Sequence, residues 1–186
     1  MSILVLGMGN VLMGDDGLGV HALRRLAGEG LTGVDMLELG TSLADCFSLL
    51  EGYDVIVALD AVMAGGAPGS LYRLSRRELV RAERGGLSLH ECELLDALDL
   101  AALRGRHPLL HVAGMEPLNV TAWSMELSAP VRENMARYLT MIRNDVREFA
   151  ERRGSSAERA RAAEDARLRG DASRISVFSL QGRPSR

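Results

Sequence analysis

Residues 3–20 read ILVLGMGNVLMGDDGLGV, and their order decides the fold. Ile3 to Leu6 is a short apolar run that stops at Gly7, as a strand buried on both faces does. A polar, glycine-rich loop follows, and then Leu18, Val20, Leu23, Leu26 and Ala27 recur at helical spacing from Gly17 to Glu29. This is a strand–loop–helix unit. A second unit supports it: Tyr53 to Leu59 (YDVIVAL) is the strongest buried-strand signal in the chain and ends at Asp60.

Working outward, strands are predicted at Val34 to Leu39, Ser70 to Leu74 and Leu109 to Ala113. Helices are predicted at Leu43 to Leu50, at about Arg76 to Arg84 before Gly85-Gly86, and at about Glu93 to Leu103. Pro130 opens a long final helix, as a first-turn proline does. The alternation implies an α/β fold with a twisted, mostly parallel sheet and helices on both faces.

Of the 186 residues, 47% are hydrophobic, which is ordinary for a folded chain. The 22 basic residues are all arginine and face 25 acids, and the resulting pI of about 5.8 argues against a nucleic-acid partner. No apolar stretch approaches the roughly 20 residues of a membrane span, so no membrane partner is expected. The MSILVLGMGN start lacks the basic flank of an export signal, which makes the cytoplasm the expected location. Residues 1–153 hold 15 arginines against 21 acids, whereas residues 154–186 hold seven against four and few large apolar side chains. The expectation is one domain over 1–153 and an Arg/Ala-rich, flexible tail over 154–186. Cys46 and Cys92 form no CxxC pair and are expected to be ordinary thiols.

In open parallel sheets, sites form beyond the carboxyl ends of the strands. Three polar features lie there: Asp15-Asp16 after the first strand, Asp60 after YDVIVAL, and His90 in LSLHECELLDAL. Gly7-x-Gly9 resembles a dinucleotide fingerprint, but Leu12 occupies the third glycine position. Two carboxylates at a helix start would also repel a phosphate. One of Asp15 and Asp16 is expected to cap the helix, which leaves the other available for chemistry. Taken singly, Asp60 reads as a strand-end turn residue and His90 as a cap or surface histidine. Together, two carboxylates and an imidazole suit zinc or nickel with open positions left for substrate. His21 is a weaker ligand candidate near Asp16. His107 and His111, four apart on extended backbone, lie about 13 Å from one another, too far to share a metal. Neither GxSxG nor HExxH occurs.

These blocks, with GTS at Gly40 to Ser42, VAGMEP and WSMELSAPV, resemble the hydrogenase maturation endopeptidases of [NiFe] hydrogenases. The resemblance runs in order from Ile3 to about Arg153. It implies a three-layer α/β sandwich and an aspartyl-type endopeptidase that removes the C-terminal extension of the hydrogenase large-subunit precursor after nickel insertion. It places the nickel-contacting positions on Asp16, Asp60 and His90. Glu38 stands where the family commonly has Asp, and Asp16 and Glu38 are the candidate catalytic carboxylates. The resemblance further implies that nickel arrives with the precursor and that the free enzyme is metal-free. The competing reading is a non-catalytic nickel- or nucleotide-binding accessory module on the same scaffold.

Overall fold

A computed structural model describes residues 2–41, 47–82, 89–121 and 123–172, with the side chains of 47, 48, 80–92 and 153–172 outside the description. Five strands form one sheet: β1 (Ile3–Met8), β2 (Asp35–Gly40), β3 (Val55–Ala61), β4 (Leu71–Ser75) and β5 (Leu109–Met115), in the order β2-β1-β3-β5-β4. The pairings β1 with β2, β1 with β3 and β3 with β5 are parallel; β4 runs antiparallel along the edge of β5. The helices are α1 (Leu18–Glu29), α2 (Phe47–Leu50), α3 (Arg76–Ala82), α4 (Leu89–Leu103) and α5 (Ala129–Ala172).

Alternation along the strands divides the core into two layers, because successive side chains point to opposite faces. Ile3, Val5, Val55, Val57, Leu59 and Ala113 pack under α1 and the first part of α5. Leu4, Leu6, Ile56, Ala58, Leu110 and Val112 face Leu50, Leu79, Leu94 and Leu98 of α2, α3 and α4. Helices therefore cover both faces, and the three-layer sandwich expected from the sequence is the observed architecture. Each fully buried aliphatic side chain adds roughly 1.5–3 kcal/mol of burial free energy, and all seven residues of β3 are buried.

Boundaries differ in places. The helix expected from Glu93 starts at Leu89, so His90 lies in its first turn rather than ahead of it. Asp60 is the sixth residue of β3, inside the strand. Residues 43–46 of the expected Leu43–Leu50 helix, the Gly85-Gly86 stop and the side chains of Cys46 and Cys92 lie outside the described residues. Helix α5 continues through Ala172, while the compact unit runs from Met1 to Ala150 and residues Glu151–Arg186 form a separate unit.

A polar latch ties the first part of α5 to the sheet. Asp145 accepts from Arg73 Nε at 2.9 Å and pairs with His111 Nε2 at 2.9 Å. Burial alone would raise the Asp145 pKa, but His111 and Arg73 outweigh it and hold the carboxyl below its ordinary range. His111 thus serves the packing of α5. On the same helix, the fully buried Tyr138 donates to the Ala113 carbonyl at 2.5 Å. Burial and the nearby Asp60 carboxylate raise its pKa and keep its hydroxyl protonated.

Candidate functional site

Glycines bring the carboxyl ends of β1 and β3 together under the start of α1. A Cβ on Gly19 would collide with the Leu59 carbonyl oxygen and fall 2.6 Å from Met8 O. Gly9 has φ of 106°, and a side chain there would run into the Asp16 backbone carbonyl. The chain can therefore leave β1, fold back through a 3-10 turn (Gly14–Gly17) and enter α1 directly above the strand ends. This brings the turn that carries Asp16 close to β3, whose sixth residue is Asp60.

The two adjacent aspartates are used differently, and neither caps a helix. Gly17 is the N-cap of α1 and makes no side-chain bond, so the capping expectation is overturned. Asp15 is 1% exposed and accepts three backbone N–H bonds from far along the chain: Ser128 at 2.7 Å, Leu118 at 2.9 Å and Asn119 at 3.2 Å. It ties the turn after β1 to the segment between β5 and α5. A cap position needs only local donors; these lie 103 to 113 residues away and outcompete it. Asp16 is half-buried, and its carboxylate accepts from the Asn10 backbone N–H at 2.8 Å.

Asp60 is 1% exposed, and its Oδ1 accepts from its own neighbour, Ala61 N–H, at 2.8 Å. The local turn bond expected of a strand-end aspartate is thus present, and it fixes the carboxylate rotamer. His90 belongs to the first turn of α4, but its side chain is outside the described residues. Among the described residues, no three His, Cys, Asp or Glu side chains come together as a metal cluster.

Glu38 lies near the carboxyl end of β2, opposite Gly7. It is exposed and held by Arg24 of α1 in a two-point ion pair, Nη2 to Oε1 at 2.6 Å and Nε to Oε2 at 2.9 Å. The hydrogen bond from Arg24 holds its carboxyl below the usual range, which makes it a weaker base. His21, on α1 beside Arg24 and Arg25, has a pKa lowered by burial and by both arginines. Its Nε2 is buried and has no hydrogen-bond partner among the described residues.

Sequence reasoning missed Glu116. It is 7% exposed and accepts from Ala64 N–H at 2.9 Å, Gly65 N–H and Gly66 N–H at 3.2 Å, and the Tyr72 hydroxyl at 2.7 Å. One carboxylate thereby holds residues 64–66 of the loop after β3. Burial alone would raise its pKa, but these four donors prevail and lower it. The signal available was VAGMEP itself, an acid placed directly after an apolar strand.

The layered sheet matches the fold of known peptide hydrolases. It superposes on the hydrogenase maturating endopeptidase HybD of Escherichia coli with a TM-score of 0.72 and 26% identity, covering 80% of this chain and 93% of that one. The [NiFe] hydrogenase maturation protease HybD of Thermococcus kodakarensis gives 0.66 at 30% identity, covering 77% and 98%. A hydrogenase expression/formation protein, HupD of Bradyrhizobium diazoefficiens, is 36% identical over 141 residues, 72% of each chain. The hydrogenase maturation protease family model matches residues 20–145. The chain belongs to the hydrogenase maturation protease family and is a peptide hydrolase. The competing module reading finds no support in these relatives.

Proposed function

We propose that this protein acts in the cytoplasm on the large-subunit precursor of a [NiFe] hydrogenase, removing its C-terminal extension once nickel is in place. In this reading the precursor's nickel docks on Asp16, Asp60 and His90. The observation that carries the proposal is the division of labour between the adjacent aspartates. Asp15 is consumed by three backbone donors, whereas the half-buried Asp16 lies in the turn that enters α1, a helix whose Gly19 packs against the carbonyl of Leu59, the residue before Asp60.

The donor set fits nickel held by a substrate. Two carboxylates and one imidazole give three hard or borderline ligands and leave positions for the precursor's own. Such a set binds a free ion less tightly than a closed four-ligand site with thiolates, so the free enzyme is expected to be metal-free. Docking the metal on ligands fixed by Asn10 N–H and Ala61 N–H would position the scissile bond against the enzyme, which lowers the barrier through orientation. Of the two candidate carboxylates for activating water, Arg24 already weakens Glu38 as a base, while Asp16 is weakened in the same way only once nickel engages it. We assign Glu38 and Arg24 to shaping the rim of the site.

Incubation with a nickel-loaded precursor, read by mass spectrometry, tests the function. The expected result is a mass loss equal to the C-terminal extension, abolished by His90→Ala in a protein that still unfolds cooperatively. An unchanged precursor mass with wild-type protein would reject it.

A further inference from the structure

The carboxyl edge also carries large apolar side chains that the core does not take up. Trp123 is 82% exposed and Met125 68%, and Leu12 and Leu118 are exposed with them. The segments that carry Leu12 and Trp123 are bound together. Ser124 N–H donates to the Leu12 carbonyl at 3.0 Å, Gly14 N–H donates to the Ser124 carbonyl at 2.7 Å, and Met13 and Ser124 form a parallel bridge. Leu12 and Trp123 are each one residue before that pair, so they are cross-strand neighbours. Leu118 is bonded to Asp15, in the segment that presents Asp16. Exposed apolar side chains carried on backbone that is bonded to the Asp15–Asp16 segment mark an interaction surface.

From Met125 the surface continues into a cleft of about 460 Å³ that is also lined by His21, Arg25, Glu126, Leu127 and Arg132. Among the described residues neither Arg25 nor Arg132 has an ion-pair partner, and Arg132 Nη1 donates only to the Leu127 carbonyl, at 3.1 Å. Two guanidinium groups against the single acid Glu126 leave the cleft cationic. An apolar shelf running into a cationic cleft fits a peptide whose apolar side chains precede a negative end.

We infer that this surface docks the C-terminal extension of the precursor, with apolar side chains on Leu12, Leu118, Trp123 and Met125 and the terminal carboxylate between Arg25 and Arg132. A chain end supplies that charge at every physiological pH, its carboxyl titrating near 3.5. This inference rests on the processing function proposed above and adds the determinant that holds the extension.

Trp123 is the only tryptophan in the chain, so its fluorescence reports docking without any need for cleavage. A synthetic peptide with the extension's sequence, titrated into the full-length, chelator-treated protein, should shift Trp123 emission to the blue. Amidating the peptide's C-terminus, or reversing charge with Arg25→Glu and Arg132→Glu, should weaken the apparent affinity about tenfold, less at high salt. In cleavage of nickel-loaded precursor, Trp123→Ala should raise KM about 30-fold, the cost of losing one aromatic anchor, with kcat within twofold. Wild-type protein that fails to cleave the precursor refutes the processing function. Cleavage by wild type with KM unchanged in Trp123→Ala and in the charge-reversal variant refutes the docking surface alone. Two further results would overturn it: mature-length large subunit competing as well as the precursor, or a homodimer that Trp123→Ala dissociates.

Discussion

Asp15 and Asp16 are neighbours with opposite expected phenotypes when each is changed to alanine. Asp15→Ala removes a carboxylate that accepts from Leu118, Asn119 and Ser128 N–H. Each bond to a charged acceptor contributes about 1.5–3 kcal/mol. Leu118 and Asn119 lie at the surface, so water re-solvates part of what is lost, and the three bonds do not sum in full. A loss of about 3 kcal/mol is the working figure. For a domain of this size that lowers Tm by about 6–12 °C. Asp16→Ala gives up the bond from Asn10 N–H at a half-buried position and should cost about 1 kcal/mol, while cleavage of nickel-loaded precursor is lost. Thermal unfolding by circular dichroism and a precursor cleavage assay, run on both variants, separate the two roles. If Asp15→Ala melts with the wild type, or Asp16→Ala is the more destabilised of the two, the division of labour is wrong.

Gly19→Ala should lower stability by about 3 kcal/mol in urea unfolding, because its new Cβ meets the Leu59 and Met8 carbonyls, which are backbone and cannot move aside; wild-type stability would show that α1 does not sit on these strand ends. Glu116 has a folded-state pKa below its ordinary 4.5, so its contribution is complete above that value and is lost as pH falls through the folded one. The stability of Glu116→Gln should therefore fall less steeply than wild type below pH 4.5, and parallel profiles in acid unfolding would contradict this. A chain ending at Arg153 should keep cooperative unfolding and full cleavage activity, and loss of either would give residues 154–186 a role in the domain.

What could be read from sequence follows the range of the interactions. Strand β3 announces itself because burial on both faces leaves no position for a polar residue between Val55 and Leu59. The two apolar faces of α1 and the sheet are equally plain, since period decides them locally. Which aspartate of the pair is structural could not be read, because its partners are backbone groups more than 100 residues away and carry no side-chain signature. Glu116 is hidden for the same reason: its donors are N–H groups of 64–66 and a tyrosine on another strand. Capping grammar pointed the wrong way at Asp15 and Asp16, where a buried long-range network displaced a local bond. The structural roles of Asp15 and Glu116 thus required the fold.

The most direct test uses one chelator-treated enzyme and two otherwise identical precursors, one nickel-loaded and one nickel-free. If the metal on Asp16, Asp60 and His90 belongs to the substrate, only the nickel-loaded precursor is shortened, and adding zinc to the enzyme does not rescue the other. Equal cleavage of both precursors, or cleavage of the nickel-free one once zinc is supplied, would contradict recognition through the precursor's nickel.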